Sequence, residues 1–231
     1  RVADLDAGTR KVLAILDASM TGSTPTELGS AAWVIRQNAL RLLGALRAFL
    51  DRFGGPHEAN RASRVAARVE NGVSEAAAAL TAIDGVGPGR ASKLAGEGIE
   101  TPADVVAAGS AGLVDAGLSE GVAERVVESA RELPRIEIDW RSFPERPERI
   151  ARGENDPREV TIENHAGGAR AGLRVTVNDI EMTATDSYLG SETVPVPVFG
   201  GDPDTLTFAV EVVFPDLPLE PITETRTVWV D

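Results

Sequence analysis

The chain has 231 residues, 42% of them hydrophobic, enough apolar sequence for two or three small domains with real cores. No stretch approaches the roughly 18 consecutive apolar residues of a membrane helix, and the lack of cysteine excludes disulfides, iron–sulfur clusters and thiolate zinc sites. The formal charge of −13 comes from 36 acidic residues against 21 arginines and two lysines, Lys11 and Lys93.

A start at Arg1, with no methionine and no leader pattern, reads as internal to a longer polypeptide. The absence of cysteine suits a cytoplasmic location. The charge is unevenly spread. Residues 1–80 hold ten Arg/Lys against eight Asp/Glu, residues 81–134 four against nine, and residues 135–231 nine against nineteen. These segments are the expected domains: a helical bundle over 1–80, a helix-hairpin-helix domain over 81–134 and a β-sandwich over 135–231. The fold class expected is multidomain α + β, an all-α bundle with a helix-hairpin-helix followed by an all-β immunoglobulin- or fibronectin-III-like sandwich.

In chain order, residues 26–53 repeat apolar side chains every seven positions, Leu28, Ile35, Leu42 and Phe49, with a companion row of Ala32, Ala39, Leu46 and Phe53. That spacing predicts a long amphipathic helix with one buried stripe, stopped by Gly54, Gly55 and Pro56. At 100° per residue, Trp33, Arg36, Leu40 and Arg47 fall roughly opposite the stripe. An aromatic flanked by arginines on the outer side of its helix is what a stacking platform for single-stranded bases requires; packing against a neighbouring helix is the other reading. A second helix is predicted over 60–80, burying Val65, Val69, Val73, Ala76 and Leu80. Its Arg61, Arg64 and Arg68 share one face, bracketed by Asn60 and Asn71. Such a row can track a phosphate backbone, or it is a solvated helix face.

The sharpest motif follows: Ile83, Asp84, Gly85, Val86, Gly87, Pro88, Gly89, Arg90, Ala91, Ser92, Lys93, Leu94. Glycines permit a tight turn, and the next helix opens with unpaired N–H groups and a positive dipole end. Together these can cradle a phosphate oxygen without reading a base, with Arg90 and Lys93 adding charge. The local excess of acid equally suits a packing corner or a protein-docking site. Gly121 and Val122, with Val126 and Val127 behind them, are taken to open a degenerate second hairpin. Residues 136–150, with Trp140 and Phe143, are expected to join the two halves. Short β-branched runs at 160–163, 173–177, 194–199, 206–214 and 225–230 then read as an antiparallel sandwich. Pro195 and Pro197 mark the third run as an edge strand. No internal repeat of solenoid length is evident.

Catalytic constellations are absent. The G-x-x-x-x-G-K-[ST] spacing of a nucleotide loop is not met. His57 and His165 lie in different expected domains, without partner patterns for zinc or a nucleophile triad. The expectation is a chain that is not itself an enzyme and holds no cofactor or metal.

The order of these parts resembles the Sec-sixty-three-type C-terminal domain of Ski-two-like and Brr-two-like superfamily 2 helicases. The quoted stretches carry the resemblance: Arg61, Arg64 and Val65 leading to Gly72 and Val73; Gly85 to Leu94; and Gly121 to Val127. Together, from Arg61 through Val127, they look like the corresponding part of archaeal DNA helicases, and the acidic, lysine-poor composition resembles that of halophiles. In those helicases a long helix ratchets along single-stranded nucleic acid with an arginine and a tryptophan two turns apart. Trp33 sits where that tryptophan would, whereas Thr26 stands in the arginine's place. The resemblance implies motor domains of the same polypeptide as partners, and these would carry ATP and magnesium. The expected role is a non-catalytic accessory module. Its helical half would contact single-stranded DNA or RNA through Trp33, Arg36, Arg47, Arg61, Arg64, Arg68, Gly85, Val86, Gly87, Gly89, Arg90 and Lys93, and its sandwich would dock a protein partner. The alternative is a protein-interaction module that touches no nucleic acid.

Overall fold

The structure is a computed structural model that describes residues 4–140, 143, 148–153, 155–165, 169–188, 190–199 and 204–230. The chain divides into two compact units, Arg1–Leu133 with Pro215–Glu220, and Pro134–Phe214 with Pro221–Asp231. The first is helical and the second all-β. The fold is therefore multidomain α + β.

In the helical unit, α1 (Ala7–Met20) starts at Asp6, whose carboxylate accepts the amides of Gly8 and Thr9 at 2.8 and 3.0 Å. The Thr9 hydroxyl, and then these amides, hold the Asp6 carboxyl below the usual carboxylate range. A 3-10 turn (Thr26–Leu28) leads into α2 (Gly29–Phe53), and the Gly54 amide closes α2 onto the Leu50 carbonyl at 2.7 Å. Pro56 then occupies the first turn of α3 (Pro56–Asn71). The helix expected over 60–80 is broken. Gly72 caps α3 in the left-handed conformation (φ +64), and a Cβ there would stand 3.0 Å from the Ser19 carbonyl oxygen. A short α4 (Glu75–Ala78) and a 3-10 turn (Ala79–Ala82) carry the rest of that segment.

The burial expected of α2 is also corrected. Ala32 alone of this helix is buried, while Leu42, Leu46, Phe49 and Phe53 are 63%, 46%, 58% and 69% exposed. The sector bearing Leu40, Leu43, Gly44 and Arg47 instead bounds a cleft with Ser63, Ala66 and Ala67 of α3 and with residues 216–218. The stripe is only partly covered: Ala39, Leu42 and Leu46 line an open cavity with residues of α1 and α3, and among the described residues nothing packs over Phe49 and Phe53. The buried face of α3 is mostly small, with Ala59, Ala62, Ser63 and Ala67. Pro215–Glu220 is bound to the same helix. Asn60 Nδ2 donates to the carbonyls of Leu217 and Leu219 at 3.1 and 3.0 Å, and the Ser63 hydroxyl donates to that of Pro215 at 2.6 Å.

The unit closes with α5 (Pro88–Gly96), α6 (Pro102–Asp115) and α7 (Glu120–Glu132). A capping box starts α6: the Thr101 hydroxyl accepts the Asp104 amide at 3.1 Å, and the Asp104 carboxylate accepts the Thr101 amide at 2.9 Å. One core gathers Leu80, Ile83, Leu94, Val105, Leu113 and Val126, each nearly inaccessible to solvent. Burial of such side chains contributes about 1.5–3 kcal/mol apiece. Val73 joins that core, so the hairpin domain draws on residues before position 81.

In the second unit β1 (Ile136–Asp139), β3 (Asn155–Asn164) and β6 (Ser191–Phe199) form one sheet in the order β1-β3-β6. The other sheet has the order β2-β8-β7-β4-β5, from β2 (Glu148–Ile150), β4 (Arg170–Val177), β5 (Ile180–Tyr188), β7 (Thr205–Val213) and β8 (Ile222–Val230). All pairings are antiparallel except β2 with β8. In immunoglobulin terms these are an A-B-E sheet and a G-F-C sheet. Alternate residues of β3 and β7, among them Val160, Ile162, Phe208 and Val210, are fully buried.

Residues 136–150 are not a joint, because they supply β1 and β2. Phe143 lies edge-on to Trp140 at 5.1 Å and against Phe208 at 5.2 Å. The Trp140 indole N–H donates to Glu224 at 3.0 Å, which satisfies the ring's polar edge. Among the described residues β6 pairs only with β3 and is an edge strand, with Pro195 opposite Glu159.

Candidate nucleic-acid interface

Two helical hairpins alike in their turn glycine, buried next residue and extended cap build the centre of the candidate site. In the first, Gly85 has φ +80, Val86 is buried, and the Val86 amide donates to the Ile83 carbonyl at 3.0 Å. Gly87 is extended (φ −80, ψ 175) and caps α5 without a side-chain bond. Since Pro88 has no N–H, the amides of Gly89 and Arg90 are left at the open end of the helix, and all four residues from Gly87 to Arg90 are exposed.

The second hairpin repeats this geometry at Gly117, Leu118 and Ser119. Gly117 has φ +85, Leu118 is buried with its amide on the Leu113 carbonyl at 3.0 Å, and extended Ser119 (φ −76, ψ 150) caps α7 without a side-chain bond. The expectation that Gly121 and Val122 open this hairpin is corrected, because both lie inside α7. The turn needs its glycine where φ is positive, which is at 117. The sequence does carry a signal for it: Gly85, Ala91 and Leu94 recur as Gly117, Ala123 and Val126 at one constant spacing. Arg125, exposed in α7, falls where Lys93 falls in α5.

Partners sort the cationic candidates. Arg47 is ion-paired with Asp216, Arg64 with Glu220 and with Glu75 at 3.1 Å, and Arg68 with Glu75 at 3.6 Å. Carboxylates therefore already meet three of the arginines named for nucleic acid, and Asn60 is buried rather than flanking a surface row. Arg90 and Lys93 differ. The Arg90 guanidinium donates to the Gly85 carbonyl at 2.6 Å, and Lys93 Nζ donates to the Gly117 carbonyl at 2.9 Å. A carbonyl orients a cation without neutralising it, so each hairpin has a held positive charge beside it. Arg61 is exposed and has no carboxylate partner among the described residues. Acid is close by as well: Asp84, Asp115, Glu120 and Glu124 are exposed around the two turns.

Trp33 is 59% exposed and lines a cavity of about 440 Å³ with Arg36, Thr24, Thr26 and Asn71. Arg36 is half-buried and its Nε has no hydrogen-bond partner. The structure thus brings Trp33 and Arg36 to one opening that also holds Thr26, and it turns Leu40 and Arg47 of the same helix toward α3. Ser19 and Thr24 carry no signal in the sequence, and Asn71, which brackets the α3 arginines, gives none of its place beside Trp33, because they come from separate turns.

Among the described residues no group of three or more His, Asp or Glu could hold a metal ion, and no helix is long and apolar enough to cross a membrane. Residues 77–132 match the family model described as a SAM-like helix-hairpin-helix tandem. No curated protein matches the sequence. Among solved structures the chain is similar to the CARDB domain of a Pyrococcus furiosus protein in complex with di-metal ions, at 17% identity over 43% of this chain and 90% of that one, with a TM-score of 0.34. It is also similar to a Listeria innocua beta-glucosidase, at 16% identity over 42% and 16% of the two chains, with a TM-score of 0.28. The sandwich assignment rests on the strand order rather than on these likenesses.

Proposed function

We propose that the chain is a non-catalytic accessory module that handles single-stranded nucleic acid through its helical unit. The observation that carries this is the pair of matching hairpins, each opening a helix whose end has no side-chain cap, with Arg90 and Lys93 held beside them by carbonyls. Such helix ends accept phosphate oxygens without reading sequence. Trp33, beside Arg36, offers the aromatic face on which a base stacks. By its resemblance the module serves a Sec-sixty-three-containing superfamily 2 helicase, whose motor domains would bind ATP and magnesium. Thr26 in place of the ratchet arginine makes Trp33, rather than an arginine–tryptophan pair, the principal contact of the long helix.

A second reading is a protein-interaction module without nucleic acid. Its support is the nineteen acids against nine cations in residues 135–231 and the carboxylates around both hairpins.

Anisotropy titration of labelled single-stranded DNA and RNA across several KCl concentrations separates the two. Under the first reading affinity falls with salt, and Trp33→Ala weakens binding by about 1–3 kcal/mol, the worth of one stacked base. Replacing Arg90 and Lys93 by Ala lowers the salt slope by roughly 0.7 for each phosphate that is no longer neutralised. No binding of either polymer by the folded protein rejects the first reading in favour of the second.

A further inference from the structure

We propose that the groove between α1 and α2 docks an acidic amphipathic helix of a protein partner. Leu13 and Leu16 of α1 and Leu42 and Leu46 of α2 wall this groove, with Val65 and Val69 of α3 lining it between them, around a cavity of about 680 Å³. Asp17 is the one charged residue on the lining. Phe49 and Phe53 prolong the α2 wall, and both are more than half exposed.

The spacing of that wall specifies a helix. Leu42 and Phe49, and Leu46 and Phe53, are each seven residues apart, the interval at which one helix presents a straight seam to another. The exposed seam covers three turns, about 17 Å at 1.5 Å per residue. This matches an occupant that lays its own apolar face into the groove.

The charge of the occupant follows from α2, which holds Arg36, Arg41, Arg47 and Arg52 against a single acid, Asp51. Asp216 pairs with Arg47. Arg41 and Arg52 share the solvent flank of the seam at about 100° per residue, and no carboxylate pairs with either among the described residues. The Arg52 guanidinium sits 5.8 Å from the Phe53 ring, at the seam's end. A partner helix with Asp or Glu along the facing edge meets both arginines. A second copy of this chain would instead set one arginine-rich α2 against another, which like-charge repulsion disfavours.

The test uses the whole protein and a fluorescein-labelled helical peptide of about 18 residues, with leucines at the seam spacing and glutamates on the flanks. Its twin carries lysine for every glutamate. Titrations are run at ~0.2 M and ~1 M KCl, where screening differs strongly, with helicity checked by circular dichroism. The glutamate peptide is expected to bind at least about ten-fold more tightly than its twin, with the gap shrinking at high salt. Phe49→Glu, at an exposed position, should abolish binding without loss of helicity. Arg41→Glu with Arg52→Glu should reverse the preference between the twins. Equal affinity for the twins, or an unchanged Kd in Phe49→Glu, overturns the proposal. So does a wild-type dimer in sedimentation that Phe49→Glu dissociates, which would give the face to a second copy. Loss of oligonucleotide affinity in Phe49→Glu, with peptide binding intact, would give it to nucleic acid.

Discussion

Gly117 shows how much one backbone angle decides. At φ +85 an alanine pays a left-handed penalty of about 1–2 kcal/mol, and its Cβ would collide with Lys93 Nζ. Gly117→Ala should therefore lower the melting temperature and also displace Lys93 from its carbonyl. Gly121 has ordinary helical surroundings and open space at its Cβ position, so Gly121→Ala should be neutral or up to about 1 kcal/mol stabilising. Thermal melts of the two variants test the register of the second hairpin directly; equal losses would place the turn elsewhere. The arginines carry a related lesson. Arg64 and Arg68 look alike to Arg61 in sequence, but Glu75 and Glu220 are brought to the first two and, among the described residues, no acid to the third. A carboxylate partner competes with phosphate, so Arg61 is the one of this row free to take one.

At the scale of elements, α2 and β6 are each left open on one side among the described residues, by different means. The open side of α2 is apolar and flanked by arginines. The open edge of β6 is blunted by proline, which cannot donate to a neighbouring strand. Pro195 is exposed on that strand. Pro195→Thr restores an N–H to the edge, and should raise self-association in light scattering while leaving the far-ultraviolet dichroism unchanged. No change in scattering would mean that other features, such as Glu192 beside it, already protect the edge. β5, with Ile180 and Met182 exposed, is missing from the short β-branched runs for a different reason: its Ile180, Met182 and Ala184 do alternate with Glu181, Thr183 and Thr185, but that apolar row is β-branched only at Ile180.

For the whole molecule the governing term is a net charge of −13 on 231 residues. Repulsion among these charges opposes compactness, and salt shortens its reach from about 10 Å at 0.1 M to about 3 Å at 1 M. The melting temperature should rise with KCl across that range; a melting temperature indifferent to KCl would mean that the acids are already compensated by local pairs. The division of the chain also governs how it can be dissected. Pro215–Glu220 lies between β7 and β8 in sequence but belongs to the helical unit, where Asn60, Ser63 and Arg64 bind it. A truncation at residue 134 would strip those partners from α3 and hand the Asn60 and Ser63 side chains back to water, at a loss of about 0.5–1.5 kcal/mol for each hydrogen bond. Single substitutions are the cleaner probe of each unit.

Local chemistry in the sequence was sufficient for the class of each half, the first hairpin, the stop at Gly54 to Pro56 and the edge character of β6. Each depends on residues within a turn of one another: glycines at required angles, a proline without a donor, apolar spacing with a clear period. The tertiary structure decided what depends on distant neighbours. It selected which sector of α2 meets α3, because α1, α3 and residues 215–220 come to that helix from separate parts of the chain. It placed the second hairpin at Gly117, where φ rather than residue type marks the turn. It neutralised Arg47, Arg64 and Arg68 with acids up to 169 positions away. A periodic stripe shows that a face seeks a partner; only packed neighbours determine whether the partner is already within the chain.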